Sequence, residues 1–233
     1  MASTVPTTVF GLLHRLRSGN SASPRLTWYG PGGERVELSG RVLDNWAAKT
    51  SNLLVEELDA EPGTRFRLEM PSHWKSAVLA LAAWQTGGVL VDGEADLLFT
   101  ADADGAPPTG ATRVVVALGA LELAFQGELA PGDVDYAALV RQFADSFDPF
   151  DPPSADDDAA HLGVEVLSQA GLLERWAVPA QPGARVLVDA SRPLPEVLAA
   201  LIGAWAADGS AVLRHPDVAD TPALRSAERI TAG

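Results

Sequence analysis

Residues 62–91, PGTRFRLEMPSHWKSAVLALAAWQTGGVLV, predict the fold of this protein. Thr64–Glu69 is predicted to be a strand, and Ser72 is expected to cap a following helix, because its hydroxyl can accept from the free amides of the first turn. Apolar residues then recur at helical spacing, at Trp74, Ala77, Val78, Leu81 and Trp84. Gly87 is expected to end the helix, and Gly88–Val91 to begin a second strand. This is a βαβ unit, whose two strands should lie parallel.

A second stretch repeats the same pattern further along the chain. Residues 182–214 read PGARVLVDASRPLPEVLAALIGAWAADGSAVLR, so that a Pro-Gly turn, a strand, an Ala-rich and Leu-rich helix, a glycine and a strand follow one another again. Trp84 corresponds to Trp205, and Gly88 to Gly209. The similarity could be that of any two βαβ units, since their turns and helices share a composition. The alternative is a fold of two related lobes that face each other across a crevice.

The remaining elements complete an α/β prediction with two related three-layer lobes and largely parallel sheets. The other predicted elements are helices at 7–17, 39–58, 134–144 and 163–178, a hairpin at 26–38, and strands at 97–100 and 113–117. Residues 145–158 are rich in aspartate and proline and are interpreted as a linker or a solvated loop. We therefore expect a first portion at 1–150 and a second at 151–233, packed as one globular unit.

Composition limits the possible partners. The chain has 233 residues and a net charge of −14, which disfavours nucleic acid and anionic membranes because the field would repel them. There is no cysteine, so disulfides and thiolate metal sites are excluded. The aspartate-rich stretch lacks the glycine and final glutamate of an EF-hand loop, and no metal or cofactor is expected. No apolar segment or secretory signal stands out, because His14 and Arg15 interrupt the apolar residues near the N-terminus, and cytoplasmic residence is expected.

The candidate ligand-binding residues follow from strand order. Ligands of open α/β sheets usually bind beyond the carboxyl ends of the strands. The rule selects Ser72 and His73 after the first strand, and Asp189, Ser191 and Arg192 after the corresponding strand of the second unit. Arg192 could face a carboxylate or phosphate, or could simply pair with a neighbouring acid.

No catalytic residue is assigned from the sequence. The chain contains no Gly-x-Ser-x-Gly elbow and no Gly-x-Gly-x-x-Gly fingerprint. The four histidines, His14, His73, His161 and His215, are scattered, and each is interpreted as structural or exposed.

Residues 26–91 resemble the opening of the adenylate-forming (AMP-binding) enzymes, which include acyl-CoA synthetases, luciferases and peptide-synthetase adenylation domains. The matching features are the block TWYGPGGERVELSGRVLDNWAAKTSNLL at 27–54, the turn Pro62-Gly63-Thr64-Arg65, the loop Met70-Pro71-Ser72, and the helix end at Trp84–Val89. The second βαβ unit is similar to a later stretch of the same enzymes. The chain as a whole resembles a short actinobacterial family that is similar to their N-terminal part.

Several sequence blocks that adenylate-forming enzymes use for ATP binding and catalysis have no counterpart in this sequence. Their Thr-Ser-Gly-rich loop, which ends in Pro-Lys-Gly and wraps ATP phosphates, should lie between the aspartate-rich stretch and the helix near Leu167. Residues 156–163 read DDDAAHLG there, with one glycine and no lysine. The Tyr-Gly-Thr-Glu block and the ribose-binding aspartate are missing, and a lysine-bearing C-terminal domain is not expected, since the chain stops at Gly233.

Three functions are compatible with these departures. The preferred one is a non-catalytic relative that binds a small metabolite or a protein. A second is a fragment that completes an adenylate-forming site by pairing with another chain or with itself, so that a homo-oligomer is possible. A third is an enzyme of unrecognised chemistry that uses His73, Asp189, Ser191 or Arg192.

Overall fold

A computed structural model describes residues 6–106, 108–176 and 181–233. Its strands are β1 (Pro24–Tyr29), β2 (Arg35–Ser39), β3 (Arg65–Glu69), β4 (Val89–Val91), β5 (Leu97–Thr100), β6 (Thr112–Val115), β7 (Val134–Asp135), β8 (Asp158–Leu162), β9 (Glu165–Ser168), β10 (Arg185–Asp189) and β11 (Ser210–Arg214). Its helices are α1 (Val9–Ser18), α2 (Gly40–Glu56), α3 (Trp74–Gln85), α4 (Tyr136–Leu139), α5 (Gln169–Trp176), α6 (Leu194–Ala206) and α7 (Pro222–Ala227).

The strands form two largely parallel sheets, as predicted. The larger sheet has the order β7-β6-β5-β3-β4-β8-β9, and only the β8–β9 pair is antiparallel. The smaller sheet has the order β10-β11-β1-β2, and only the β1–β2 hairpin is antiparallel. The α/β class is therefore confirmed.

Both sheets combine strands from the two sides of residue 150. The N-terminal hairpin β1–β2 joins β10 and β11 in the smaller sheet, and β8 and β9 join the larger one. The sheets thus do not correspond to the portions 1–150 and 151–233, because parallel pairing brings together strands that are distant in sequence. The division of the chain into two portions at residue 150 therefore stays a prediction.

The two βαβ units share their turn hydrogen bonds. In the first unit the amide of Gly63 donates to the carbonyl of Gly87 over 2.8 Å, and in the second the amide of Gly183 donates to the carbonyl of Ala207 over 2.9 Å. Gly63 and Gly183 both have positive φ angles, 88° and 74°. Each Pro-Gly turn is therefore tied to the end of the helix in its own unit in the same way.

The two corresponding tryptophans also make equivalent contacts. The indole nitrogen of Trp84 donates to the carbonyl of Ala159 over 2.8 Å, and that of Trp205 donates to the carbonyl of Arg25 over 2.9 Å. Both rings are almost fully buried. Each unit thus uses its tryptophan to hold its helix against backbone that is distant in sequence.

Helix α3 lies at the centre of the molecule. All of its residues are buried, and it contacts β3 and β4 of the larger sheet, β1 of the smaller sheet, and helices α1 and α2. A helix surrounded on all sides needs no solvated polar face, and the buried polar side chains of Lys75, Ser76 and Gln85 make hydrogen bonds within the chain.

The predicted cap of this helix is wrong by one residue. His73 caps α3, because its Nδ1 accepts from the amide of Lys75 over 3.2 Å. The hydroxyl of Ser72 instead donates to the carbonyl of Arg192 over 3.1 Å. The Ser72 hydroxyl, which was expected to cap α3, thus makes a tertiary hydrogen bond instead.

Two predicted helices are shorter in the structure than expected. Residues 134–144 form the short strand β7, the single turn α4 and a 3-10 turn at Val140–Gln142. Residues 163–168 belong to the hairpin β8–β9, and α5 begins only at Gln169, because Gly163 has a φ of +61° and turns the chain back on itself. The predicted end of that helix, 177–178, lies outside the described residues. None of the helices in the described ranges has the length and apolarity to cross a membrane.

Candidate functional site

A pocket of about 300 Å³ lies where the carboxyl ends of strands from both sheets meet. Pro71, Ser72 and His73 follow β3, Leu118 and Gly119 follow β6, and His215 follows β11; Trp28 of β1 and Pro31 and Glu34 of the first hairpin complete the lining. The larger part of this lining is apolar. This is the edge of the sheets at which ligands of open α/β folds bind, and residues from both sheets line the pocket.

His73 supplies a neutral imidazole to this pocket. Its side chain is almost completely buried, and its ring meets the ring of Trp28 edge-on with 4.6 Å between centroids. Burial, together with the charges of Lys75 and His215, lowers the pKa of His73 to about 3. Because Nδ1 accepts from the amide of Lys75, the single proton of the neutral ring lies on Nε2.

His215 has the same local arrangement and also lies beside Trp28. Its Nδ1 accepts from the amide of Asp217 over 3.2 Å, and its ring meets that of Trp28 edge-on with 6.0 Å between centroids. The carboxylate of Asp217 is 3.6 Å from Nδ1, which is too long for a hydrogen bond. The backbone amide of His215 donates to the carbonyl of Tyr29 over 2.8 Å, so the pairing of β11 with β1 positions this histidine.

The carboxyl group of Glu34 holds two walls of the pocket together. One oxygen accepts from the indole nitrogen of Trp28 over 2.7 Å, and the other accepts from the amide of Ala120 over 2.9 Å. Since Glu34 lies between β1 and β2, it links the smaller sheet to the segment that follows β6.

Lys75 holds the same segment from the opposite side. It is 3% exposed, and its ammonium group donates to the carbonyls of Ala117 and Gly119, the latter over 2.9 Å. Burial lowers the pKa of Lys75 to about 8. The wall formed by Leu118 and Gly119 is therefore fastened both by a side chain of α3 and by Glu34.

The residues predicted in the second unit lie near this pocket but do not line it. Asp189 accepts from the amide of Ser191 over 2.8 Å and pairs with Arg214, which precedes His215. The hydrogen bonds from Ser191 lower the pKa of Asp189. Arg192 is half exposed and pairs with Glu196 over 3.0 Å. Contacts within the chain thus occupy these polar groups, and their ligand-binding role stays a prediction.

Of the five predicted residues, Ser72 and His73 line the pocket. The hydrogen bond from Ser72 to the carbonyl of Arg192 is the direct link between the two predicted groups. The sequence interpretation missed Trp28, Glu34, Leu118 and His215. His215 and Leu118 follow the carboxyl ends of β11 and β6, so the same rule applied to every strand would have selected them.

A tight hairpin occupies the place at which the resemblance puts the phosphate-binding loop. Leu162 of β8 pairs with Glu165 of β9, which leaves only Gly163 and Val164 in the turn. The amide of Gly163 donates to the carboxylate of Asp92 over 2.8 Å. A turn of this length offers no series of free amides to a phosphate group, and a carboxylate of the chain takes one of the two. Within the described residues, no group of three or more acidic or histidine side chains could hold a metal ion.

Comparisons with known proteins show one relative along the whole chain. A protein of Mycobacterium tuberculosis (strain ATCC 25618 / H37Rv), described as a TIGR03089 family protein, is 34% identical in an alignment of 241 positions, gaps included, that covers 98% of this chain and 98% of that protein. No family model matches the chain.

Solved structures share the fold. A Mycobacterium tuberculosis fatty acyl CoA synthetase matches 96% of this chain with a TM-score of 0.68 and 17% identity, and a Brucella canis acyl-CoA synthetase matches 99% with 0.71 and 13%. The N-terminal domain of FACL13 from Mycobacterium tuberculosis matches 96% with 0.72 and 15%. This chain spans about half the length of the first two structures, 48% of each, and 61% of the third. The likeness shows the fold, that of the N-terminal part of adenylate-forming enzymes.

Proposed function

Since the chain belongs to the TIGR03089 family, we propose that it is a non-catalytic relative of the acyl-CoA synthetase fold that binds a small molecule between its two sheets. The observation that carries the proposal is the two-residue turn of the β8–β9 hairpin, where an ATP-dependent enzyme needs a loop around the phosphates. In the described part of the chain, this turn offers no series of backbone amides that could hold the triphosphate for adenylate formation.

The pocket beside His73 supports a binding role. It is apolar, it carries a few polar groups, and its walls are held in place by Glu34 and Lys75 without a ligand. Ligand sites of proteins generally combine a preformed apolar cavity with a small number of placed polar groups. The volume of about 300 Å³ suits a compact ligand.

Thermal unfolding in the presence of candidate ligands tests the proposal. ATP with Mg²⁺, AMP, CoA, carboxylic acids and uncharged small molecules are each added, and calorimetry follows any shift. A ligand at about 100 times its dissociation constant stabilises the protein by about 2.7 kcal/mol, which raises the midpoint by roughly 5–10 °C for a chain of this length. We expect a shift with a compact ligand and none with ATP or AMP.

A matched pair of variants locates the binding. Leu118→Trp fills the pocket, whereas Leu121→Trp adds the same side chain on the same segment at a position that is 92% exposed. The ligand-induced shift should disappear in the first variant and persist in the second. A shift with ATP or AMP, or binding that survives Leu118→Trp unchanged, would contradict the proposal.

A second candidate is completion by a partner chain, which the exposed hairpin edge favours. Val164 is fully exposed and Val166 is 62% exposed, and β9 is one of the two edge strands of the larger sheet. Exposed apolar residues on an unpaired edge are typical of an interface. Light scattering of the wild type and of Val166→Asp tests it: a dimer that the variant dissociates supports a self-completed assembly, and a monomer in both cases excludes one.

A further inference from the structure

We infer that the pocket takes an uncharged ligand whose carbonyl oxygen accepts hydrogen bonds from Nε2 of His73 and Nε2 of His215. This inference rests on the proposed function and names the class of ligand. Ketones, esters and amides of compact shape belong to this class, and their carboxylate analogues do not.

The donors follow from the arrangement that the two histidines share. In each ring Nδ1 accepts from the backbone amide two residues further along, that of Lys75 for His73 and that of Asp217 for His215. A nitrogen that accepts from an amide carries no proton, so the neutral ring is protonated at Nε2. Among the described residues, neither Nε2 atom has a hydrogen-bond partner, and both rings line the pocket.

The charges around the pocket disfavour an anionic ligand. The carboxyl group of Glu34 belongs to the lining, and the nearby ammonium group of Lys75 is directed to the carbonyls of Ala117 and Gly119. His73 stays uncharged at neutral pH, because burial has lowered its pKa to about 3. Moving a carboxylate from water into this pocket is therefore costly, because no cation in the described lining is free to compensate its charge.

The apolar part of the lining selects a hydrocarbon body for the ligand. Trp28, Pro31, Pro71 and Leu118 present rings and an aliphatic side chain to the cavity. A flat or branched apolar group contacts such walls well. The ligand then needs a single hydrogen-bond acceptor, which faces the two N–H donors.

Four probes of one size test the inference: acetophenone and benzamide carry a carbonyl, benzoate carries a charge, and ethylbenzene carries neither. Binding to the full chain is measured by calorimetry or by nuclear magnetic resonance titration at neutral pH. We expect acetophenone or benzamide to bind at least about tenfold more tightly than benzoate and ethylbenzene, as one good hydrogen bond allows.

Substitution by asparagine separates the donor from the fold. In His73→Asn and His215→Asn the side-chain oxygen can still accept from the amide two residues further along, but the Nε2 donor is lost. At position 73 asparagine is also a preferred helix cap. Each variant should weaken the carbonyl probes about tenfold more than it weakens ethylbenzene, and its thermal midpoint shows whether the fold is kept.

The outcomes distinguish the inference from the proposed function. Tighter binding of benzoate, or carbonyl binding unchanged in either asparagine variant, overturns the inference, and so does a lack of binding by both carbonyl probes. If another compact ligand still binds and Leu118→Trp abolishes its binding, the proposed function stands while this ligand class fails.

Discussion

Replacement of Lys75 by methionine is expected to change how the stability of the protein depends on pH. The side chain is 3% exposed, and its ammonium group donates to the carbonyls of Ala117 and Gly119 in the wall of the pocket. Burial lowers the pKa of Lys75 from an ordinary value of 10.5 to about 8. Methionine keeps a long unbranched side chain and does not titrate.

The direction of the effect follows from the two pKa values of Lys75. Between about pH 8 and about pH 10.5 the unfolded chain binds this proton more strongly than the folded protein, so stability rises with pH. The gain is complete above about 10.5 and absent below about 8. Its size is at most about 3 kcal/mol, since each tenfold change in proton affinity is worth about 1.4 kcal/mol and water at the site reduces the effect.

Urea unfolding at several pH values between about 7 and about 10 measures the effect. Groups that both proteins share cancel in the difference between the wild type and Lys75→Met, and Lys49→Met controls for the loss of a lysine as such. The wild type should gain stability relative to Lys75→Met as the pH rises, and the gain should not appear relative to Lys49→Met. A difference that stays flat would refute the reasoning, and would mean that the two carbonyls hold the ammonium group charged despite its burial.

Two further substitutions test the fold around the site. Gly209→Ala should cost about 1–3 kcal/mol and lower the thermal midpoint by several degrees, because the added Cβ would overlap the carbonyl oxygen of Ala184, whereas Gly93→Ala, with open space around it, should change little; equal midpoints in the two variants would show that the backbone moves aside. Asp133→Asn should lower the urea midpoint at neutral pH, since Asp133 accepts from Arg113 over 2.8 and 2.7 Å. These hydrogen bonds lower the pKa of Asp133, so the wild type should lose that stability as the pH falls through the lowered pKa, and Asp133→Asn should not show this acid-dependent loss.

The local sequence pattern predicted secondary structure correctly where an element is stabilised by residues close to it in the chain. Both βαβ units, the hairpin at Gly30–Gly33 and the cap at Ser39 are present as the sequence predicts, because turn residues and periodicity act within a few positions of one another. It failed at 163–168, where apolar residues that could belong to a helix lie instead in the turn and in the edge strand β9, which pairs with β8.

The candidate site was predicted only in part for a related reason. Ser72 and His73 follow β3 directly, so the strand-end rule found them. Trp28 lies in β1, which pairs with β11, a strand almost two hundred residues further along the chain. The residues near Trp28 in the sequence do not predict this pairing. Glu34 likewise contacts Ala120, a residue with no sequence relation to the hairpin.

The sequence by itself determined the fold class, the two similar βαβ units and the short glycine-poor segment at 156–163, because each of these depends on residues that are neighbours along the chain. Only the tertiary structure decided that His73 and His215 share one pocket and that Asp189 is engaged by Arg214. The order of the parallel strands places their carboxyl ends together, and that order is set by packing between elements rather than by any one of them.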